Sequence, residues 1–136
     1  MSGVMPLGIW KQRKRILVVE DSPTMAAIIQ STLKAFNYEV VVAGTGAQAL
    51  GLIQQESPDL ILLDVMLPDT DGIAICQRLK ADPSTWEIPV IFVTTRSPDG
   101  LPLGYAVYAA DGYLAKPIRR WELINSVDNV FRRQLA

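Results

Sequence analysis

An α/β sandwich built around one parallel sheet is the fold this sequence predicts. Short apolar, β-branched runs recur five times in 136 residues, amphipathic stretches separate them, and polar residues collect where the runs end. The first four runs are almost continuously apolar, with no in/out alternation, as parallel strands covered on both faces should be. Strand and helix alternating five times over imply right-handed crossovers and helices on both sides of the sheet.

The first strand is "RILVVE" (15–20). After it, Ser22 can cap a helix with Pro23 at its first position, and Met25, Ile28, Ile29, Leu33 and Phe36 form one apolar stripe. "EVVVA" (39–43) is the second strand, and Thr45 can open a second helix with Ala49, Leu50 and Ile53 turned inward. "LILLDV" (60–65) is the third strand. A third helix from about Gly72 places Ile75, Cys76 and Leu79 on one face, and "ADPS" stops it. There Gly72 is expected to serve turn geometry and Cys76 to be core. "PVIFVT" (89–94) is the fourth strand. "SPDGLPLGYAVYAADG" carries Pro98, Gly100, Pro102 and Gly104, all poor in a helix interior, so the fourth helix is expected to be short, starting near Leu103, or irregular at its start. "GYLAK" (112–116) is a short fifth strand, and a last helix from near Arg119 is expected to bury Trp121, Ile124, Val127 and Phe131. Residues 1–13 read as a loose arm, leaving 14–135 as one domain.

Composition narrows the chemistry. A hydrophobic fraction of 49%, a charged fraction of 20% and a net charge of −1 fit an ordinary globular domain with no electrostatic pull toward nucleic acid or membrane. "WKQRKR" in the arm is then a solvated basic stretch. The single cysteine excludes an internal disulfide and fits a reducing compartment. The start is apolar first and basic second, the reverse of a secretory signal, so the cytoplasm is the expected location. With no histidine, Ser/His and Cys/His catalysis are excluded, and a structural zinc site has too few ligands. Metal ligands would have to be oxygen atoms, which favour Mg²⁺, Mn²⁺ or Ca²⁺.

Ligands of open parallel α/β sheets bind beyond the carboxyl ends of the strands, where the strand order reverses. In the flavodoxin-like order 2-1-3-4-5, the first and third strands flank that point. The first strand ends in Glu20 and Asp21, the third in Asp64, the fourth in Thr94 and Thr95, the fifth in Lys116. Three crowded carboxylates repel one another, and a divalent cation relieves the conflict. A nucleophilic Asp, a metal, a hydroxyl and a Lys suit phosphoryl transfer to a carboxylate.

"ILVVEDSPTM", "DLILLDVMLPDTDG", "PVIFVTT" and "DGYLAKPI", in this order and at these separations, resemble the CheY-like receiver domain of bacterial two-component response regulators. The similarity runs from about Arg15 to the last helix. It implies a five-stranded, five-helix receiver that accepts phosphate from a histidine kinase or a phosphotransfer protein. By the same resemblance Asp64 is the phosphoacceptor, Glu20 and Asp21 the acidic metal-binding pair, and Met66 the residue whose backbone carbonyl binds Mg²⁺. Thr94 and Lys116 match the hydroxyl and lysine that read the phosphoryl group. Tyr113 matches the aromatic switch residue, and Lys116–Pro117 the family's cis peptide bond. A downstream protein target on the fourth-helix/fifth-strand face is implied, and a phosphorylation-dependent homodimer is compatible with it. Two positions depart from the family: Thr95 is bulkier than the usual residue and would narrow access to Asp64, and the segment 98–104 is rich in Pro and Gly.

Two other readings use the same residues. A Mg²⁺-dependent phosphohydrolase would also attack with Asp64, but such enzymes generally carry a second acid two residues on, where this chain has Met66. A pseudo-receiver that works without phosphorylation would not need the intact set of Glu20, Asp21, Asp64, Thr94 and Lys116.

Overall fold

The computed structural model describes residues 13–95 and 110–135. Five strands form one parallel sheet: β1 (Arg15–Val19), β2 (Glu39–Ala43), β3 (Leu60–Asp64), β4 (Val90–Thr94) and β5 (Gly112–Ala115). Their order is β2-β1-β3-β4-β5, as expected. Four helices lie among the described residues: α1 (Pro23–Ala35), α2 (Gly46–Glu56), α3 (Gly72–Lys80) and α4 (Arg120–Leu135). The fourth helix, expected to be short and to start near Leu103 or to be irregular at its start, lies outside the described residues, as do residues 1–12.

Side-chain parity along the strands builds two cores. Leu17, Val19, Ile61, Leu63, Val90 and Phe92 pack with Ala49 and Ile53 of α2 and with Ile75, Cys76 and Leu79 of α3. Ile16, Val18, Leu60, Leu62, Ile91 and Val93 face the other way, against Ile29 and Leu33 of α1 and Leu123, Val127 and Val130 of α4. Every residue of β3 and β4 is buried, which explains their unbroken apolar runs. β2, at the sheet edge, is half-buried except at Ala43.

The caps follow the sequence. Ser22 accepts from the Met25 amide at the start of α1, with Pro23 in the first turn, and Thr45 accepts from the Gln48 amide at the start of α2. Two helix faces differ from expectation. Ile28 and Phe36 of the first stripe are 43% and 57% exposed, because the seam of α1 against the sheet is narrower than its apolar arc. In α4 the buried line is Leu123, Val127, Val130 and Phe131, so Trp121, at 61% exposure, stands outside it and Ile124 is half-buried.

The two edges of the sheet use their acids differently. At the amino end, Asp59 accepts from the Arg15 amide at 2.8 Å and Asp111 from the Val90 amide at 2.8 Å. Those carboxylates close backbone ladders. The acids of the carboxyl end converge instead on one another.

Candidate functional site

Parity and ladder register bring the polar tips together. The Glu20 amide extends the sheet by donating to the Ala43 carbonyl at 2.9 Å, and the Lys116 amide does the same to Thr94 at 2.9 Å. Glu20, Asp64 and Lys116 therefore continue the phase of Val18, Leu62 and Leu114, on the α1/α4 side of the sheet. Here Lys116 Nζ lies 2.8 Å from Asp64 Oδ2 and 2.7 Å from Glu20 Oε1. Asp21, exposed, joins from the rim: one carboxylate oxygen each from Glu20, Asp21 and Asp64 falls within 4.8 Å of the others. Lys116–Pro117 is cis.

Asp64 is 5% exposed and Glu20 3%, so both carboxylates have given up most of their water. Backbone amides replace part of it. Met66 N donates to Asp64 Oδ1 at 3.1 Å, and Ser22 N donates to Glu20 Oε2 at 3.0 Å. The remaining oxygens face Lys116. Burial by itself would lower the Lys116 pKa, but hydrogen bonds and charge from Asp64 and Glu20 outweigh it and hold the ammonium above its usual 10.5.

This oxygen set fits a hard divalent cation. Glu20 Oε1 is buried, accepts from no backbone amide, and faces the Lys116 ammonium at 2.7 Å. An oxygen in that condition retains lone pairs for a metal, and three carboxylates on one cation charge leave negative charge to be neutralised. All three donors are carboxylate oxygens, the type Mg²⁺ and Mn²⁺ prefer.

The other expected residues stand around this cluster. Thr94 is buried at the end of β4, one residue beyond Val93, the register partner of Asp64. Thr95 is exposed at the same edge. Met66 is 59% exposed, and its amide contact to Asp64 puts its peptide at the cluster's rim. Tyr113 is half-buried on the α2/α3 side, its ring 5.9 Å from that of Phe92 and tilted by 35°. Burial raises the pKa of its hydroxyl. Cys76 belongs to the core as expected, and burial pushes its thiol up to about 11.

Gly72 corrects one expectation. It is the first residue of α3, and crowding rather than turn geometry requires it: a Cβ there would overlap the Asp64 carbonyl and come within 3.0 Å of Val65 Cα. Its amide donates to the Val65 carbonyl at 2.7 Å. Asp69 was missed by the sequence reading. Its carboxylate accepts from the Gly46 amide at 2.8 Å and the Ala47 amide at 3.0 Å, at the start of α2, and these bonds hold its pKa below the ordinary carboxylate value.

Similarity to known proteins agrees with this geometry. The family model described as response regulator receiver domain matches residues 16–128. The DNA-binding response regulator MtrA of Mycolicibacterium smegmatis is 36% identical over 126 residues, which cover 89% of this chain and 52% of that protein. Response regulator PleD of Caulobacter vibrioides is 38% identical over 122 residues, covering 90% of this chain and 27% of that protein. The chain thus spans about half the length of the first relative and about a quarter of the second. Among solved structures, the chemotaxis response regulator CheY4 of Vibrio cholerae superposes with a TM-score of 0.81 at 29% identity, covering 88% of this chain and 99% of that one. The BeF3-activated receiver domain of Klebsiella pneumoniae RstA gives 0.76 at 30% identity, covering 85% of this chain and 96% of that one.

Proposed function

The chain belongs to the response regulator receiver domain family, a class of two-component signalling domain, and from that premise we propose that Asp64 is the residue on which it carries phosphate. The observation that carries this reading is the convergence on Asp64: a lysine ammonium at 2.8 Å, and oxygens of Glu20 and Asp21 within 4.8 Å. Residues 14–135 constitute the receiver. The phosphodonor is a histidine kinase or phosphotransfer protein, and the domain catalyses its own phosphotransfer and dephosphorylation rather than turning over an external substrate.

Receiver domains generally bind Mg²⁺ at an acidic pocket, and here Glu20, Asp21, Asp64 and the Met66 carbonyl would hold it, with Mn²⁺ as a substitute. When bound, the cation supplies charge neutralisation for the incoming phosphoryl oxygens. The protein's own groups do the rest. An Asp64 carboxylate oxygen attacks phosphorus in line, the O–P bond forms as the donor's N–P bond breaks, and the imidazole departs with the bonding pair. Lys116, already paired with Asp64 Oδ2, follows the new charge of roughly −1.5 to −2 onto the phosphoryl oxygens. Thr94 offers its hydroxyl to the same group. Drawing Thr94 inward biases the carboxyl end of β4 and the β5 face that carries Tyr113, where a downstream protein reads the state. Water later cleaves the acyl phosphate and resets Asp64.

In the test, a small phosphodonor with Mg²⁺ labels the wild type once, and Asp64→Asn or chelation of the metal abolishes the label. Equal labelling of wild type and Asp64→Asn would exclude this site.

A further inference from the structure

Resting on Asp64 as the acceptor and Met66 as a metal ligand, we propose that Asp69 is a positioning residue: by fastening the tip of the loop after β3 to the start of α2, it holds the Met66 peptide where the metal needs it. The loop's base is an antiparallel bridge between Met66 and Asp71, made by the Gly72 amide on the Val65 carbonyl at 2.7 Å and the Leu67 amide on the Thr70 carbonyl at 3.2 Å. These bonds shape the loop but do not anchor its tip to the rest of the domain. Asp69 does, through both carboxylate oxygens, to two successive amides 2.8 and 3.0 Å away.

The fit around that anchor is close. A Cβ on Gly46 would overlap Thr70 Cγ2 and come within 3.0 Å of Ile75 Cδ1 and 3.3 Å of Asp69 Oδ1. The loop therefore approaches α2 to a distance only glycine permits, and the carboxylate meets the positive end of the helix. Met66 sits within that bridge, its carbonyl sharing a peptide with the Leu67 amide, and its own amide touches Asp64 Oδ1 at 3.1 Å. A ligand carried on backbone has no rotamer of its own, so its direction is the loop's direction. Releasing the tip leaves only the loop's own hydrogen bonds to orient that peptide, and the Met66 carbonyl loses the direction that the anchor to α2 fixes.

The test separates anchoring from helix capping. Asp69→Ala should raise the Mn²⁺ concentration for half-saturation, read by Mn²⁺ electron paramagnetic resonance, about 10-fold, the lower end of what losing an outer partner of a metal ligand does. The Mg²⁺ needed for half-maximal labelling should rise alike, with the labelling plateau at saturating Mg²⁺ near that of the wild type. Asp69→Asn, which keeps one acceptor oxygen, should recover part of the shift. Thr45→Ala removes the other cap of α2, the 3.1 Å bond to Gln48 N, and should lower stability without moving either concentration. An unchanged metal dependence in Asp69→Ala, or an equal shift in Thr45→Ala, overturns the proposal. Wild type that binds Mn²⁺ but accepts no label overturns Asp64 as acceptor while the Mn²⁺ readout still decides on Asp69; wild type that binds no Mn²⁺ overturns both.

Discussion

Lys116 holds the acidic site together without metal, because one ammonium is shared by two buried carboxylates at 2.7 and 2.8 Å. Removing it strands Glu20 and Asp64 beside each other with little solvent. Lys116→Ala should therefore lower stability in chelator by about 1–3 kcal/mol, less than a fully enclosed pair would lose because the lysine is partly solvated. Mg²⁺ should recover most of that loss, and phosphorylation should no longer reach the partner-binding face. Denaturant unfolding with and without Mg²⁺ checks the first point, and partner binding by the phosphorylated variant the second. The pH dependence has a definite sign. The Lys116 pKa is raised in the fold above 10.5, so its contribution is complete below about pH 10.5 and fades as pH rises through the higher folded value. At this scale much was legible: strand ends mark where a side chain leaves the core, and all six expected tip residues lie at one edge. Asp69 was not. Its partners are 22 and 23 residues away, and amides at a helix start donate to a carboxylate from any loop that reaches them.

β3 acts as a pedestal. All five of its residues are buried, with strands on both sides and helices on both faces, so Asp64 is presented on the least compliant part of the molecule. α3 begins directly against that pedestal, and two glycines separate contact from propensity. Gly51, in α2, has open space where a Cβ would go, so Gly51→Ala should stabilise by up to about 1 kcal/mol through helix propensity alone. Gly72→Ala, at the first position of α3, has less propensity to gain and drives a methyl into the Asp64 carbonyl, so it should instead destabilise and slow labelling. Thermal melting of the two variants checks the contrast; equal shifts would contradict it. Strand existence and order were readable because fully covered parallel strands are unbroken apolar runs. Helix faces were less so: Phe36 and Trp121 keep the right spacing but sit at the margin of their arcs, and only the depth of the neighbouring layer decides which margin is covered.

Among the described residues, the sheet fixes positions and the polar groups collect at its carboxyl edge. Two cores, one per face, clamp the strands, while the acidic cluster, the 65–71 loop and Thr94 lie at that single edge. Among the described residues no helix is long and apolar enough to cross a membrane. The family relation carries the signalling class, but the relatives are longer than this chain, and their output activities remain their own. The central claim is about one carboxylate, and chemical trapping reads it directly. After treatment with a small phosphodonor and Mg²⁺, borohydride reduces an aspartyl phosphate to homoserine, which peptide mass spectrometry locates. Homoserine at position 64, dependent on Mg²⁺, is the predicted result; homoserine at another acidic residue, or none in a protein that has taken up phosphate, would contradict it.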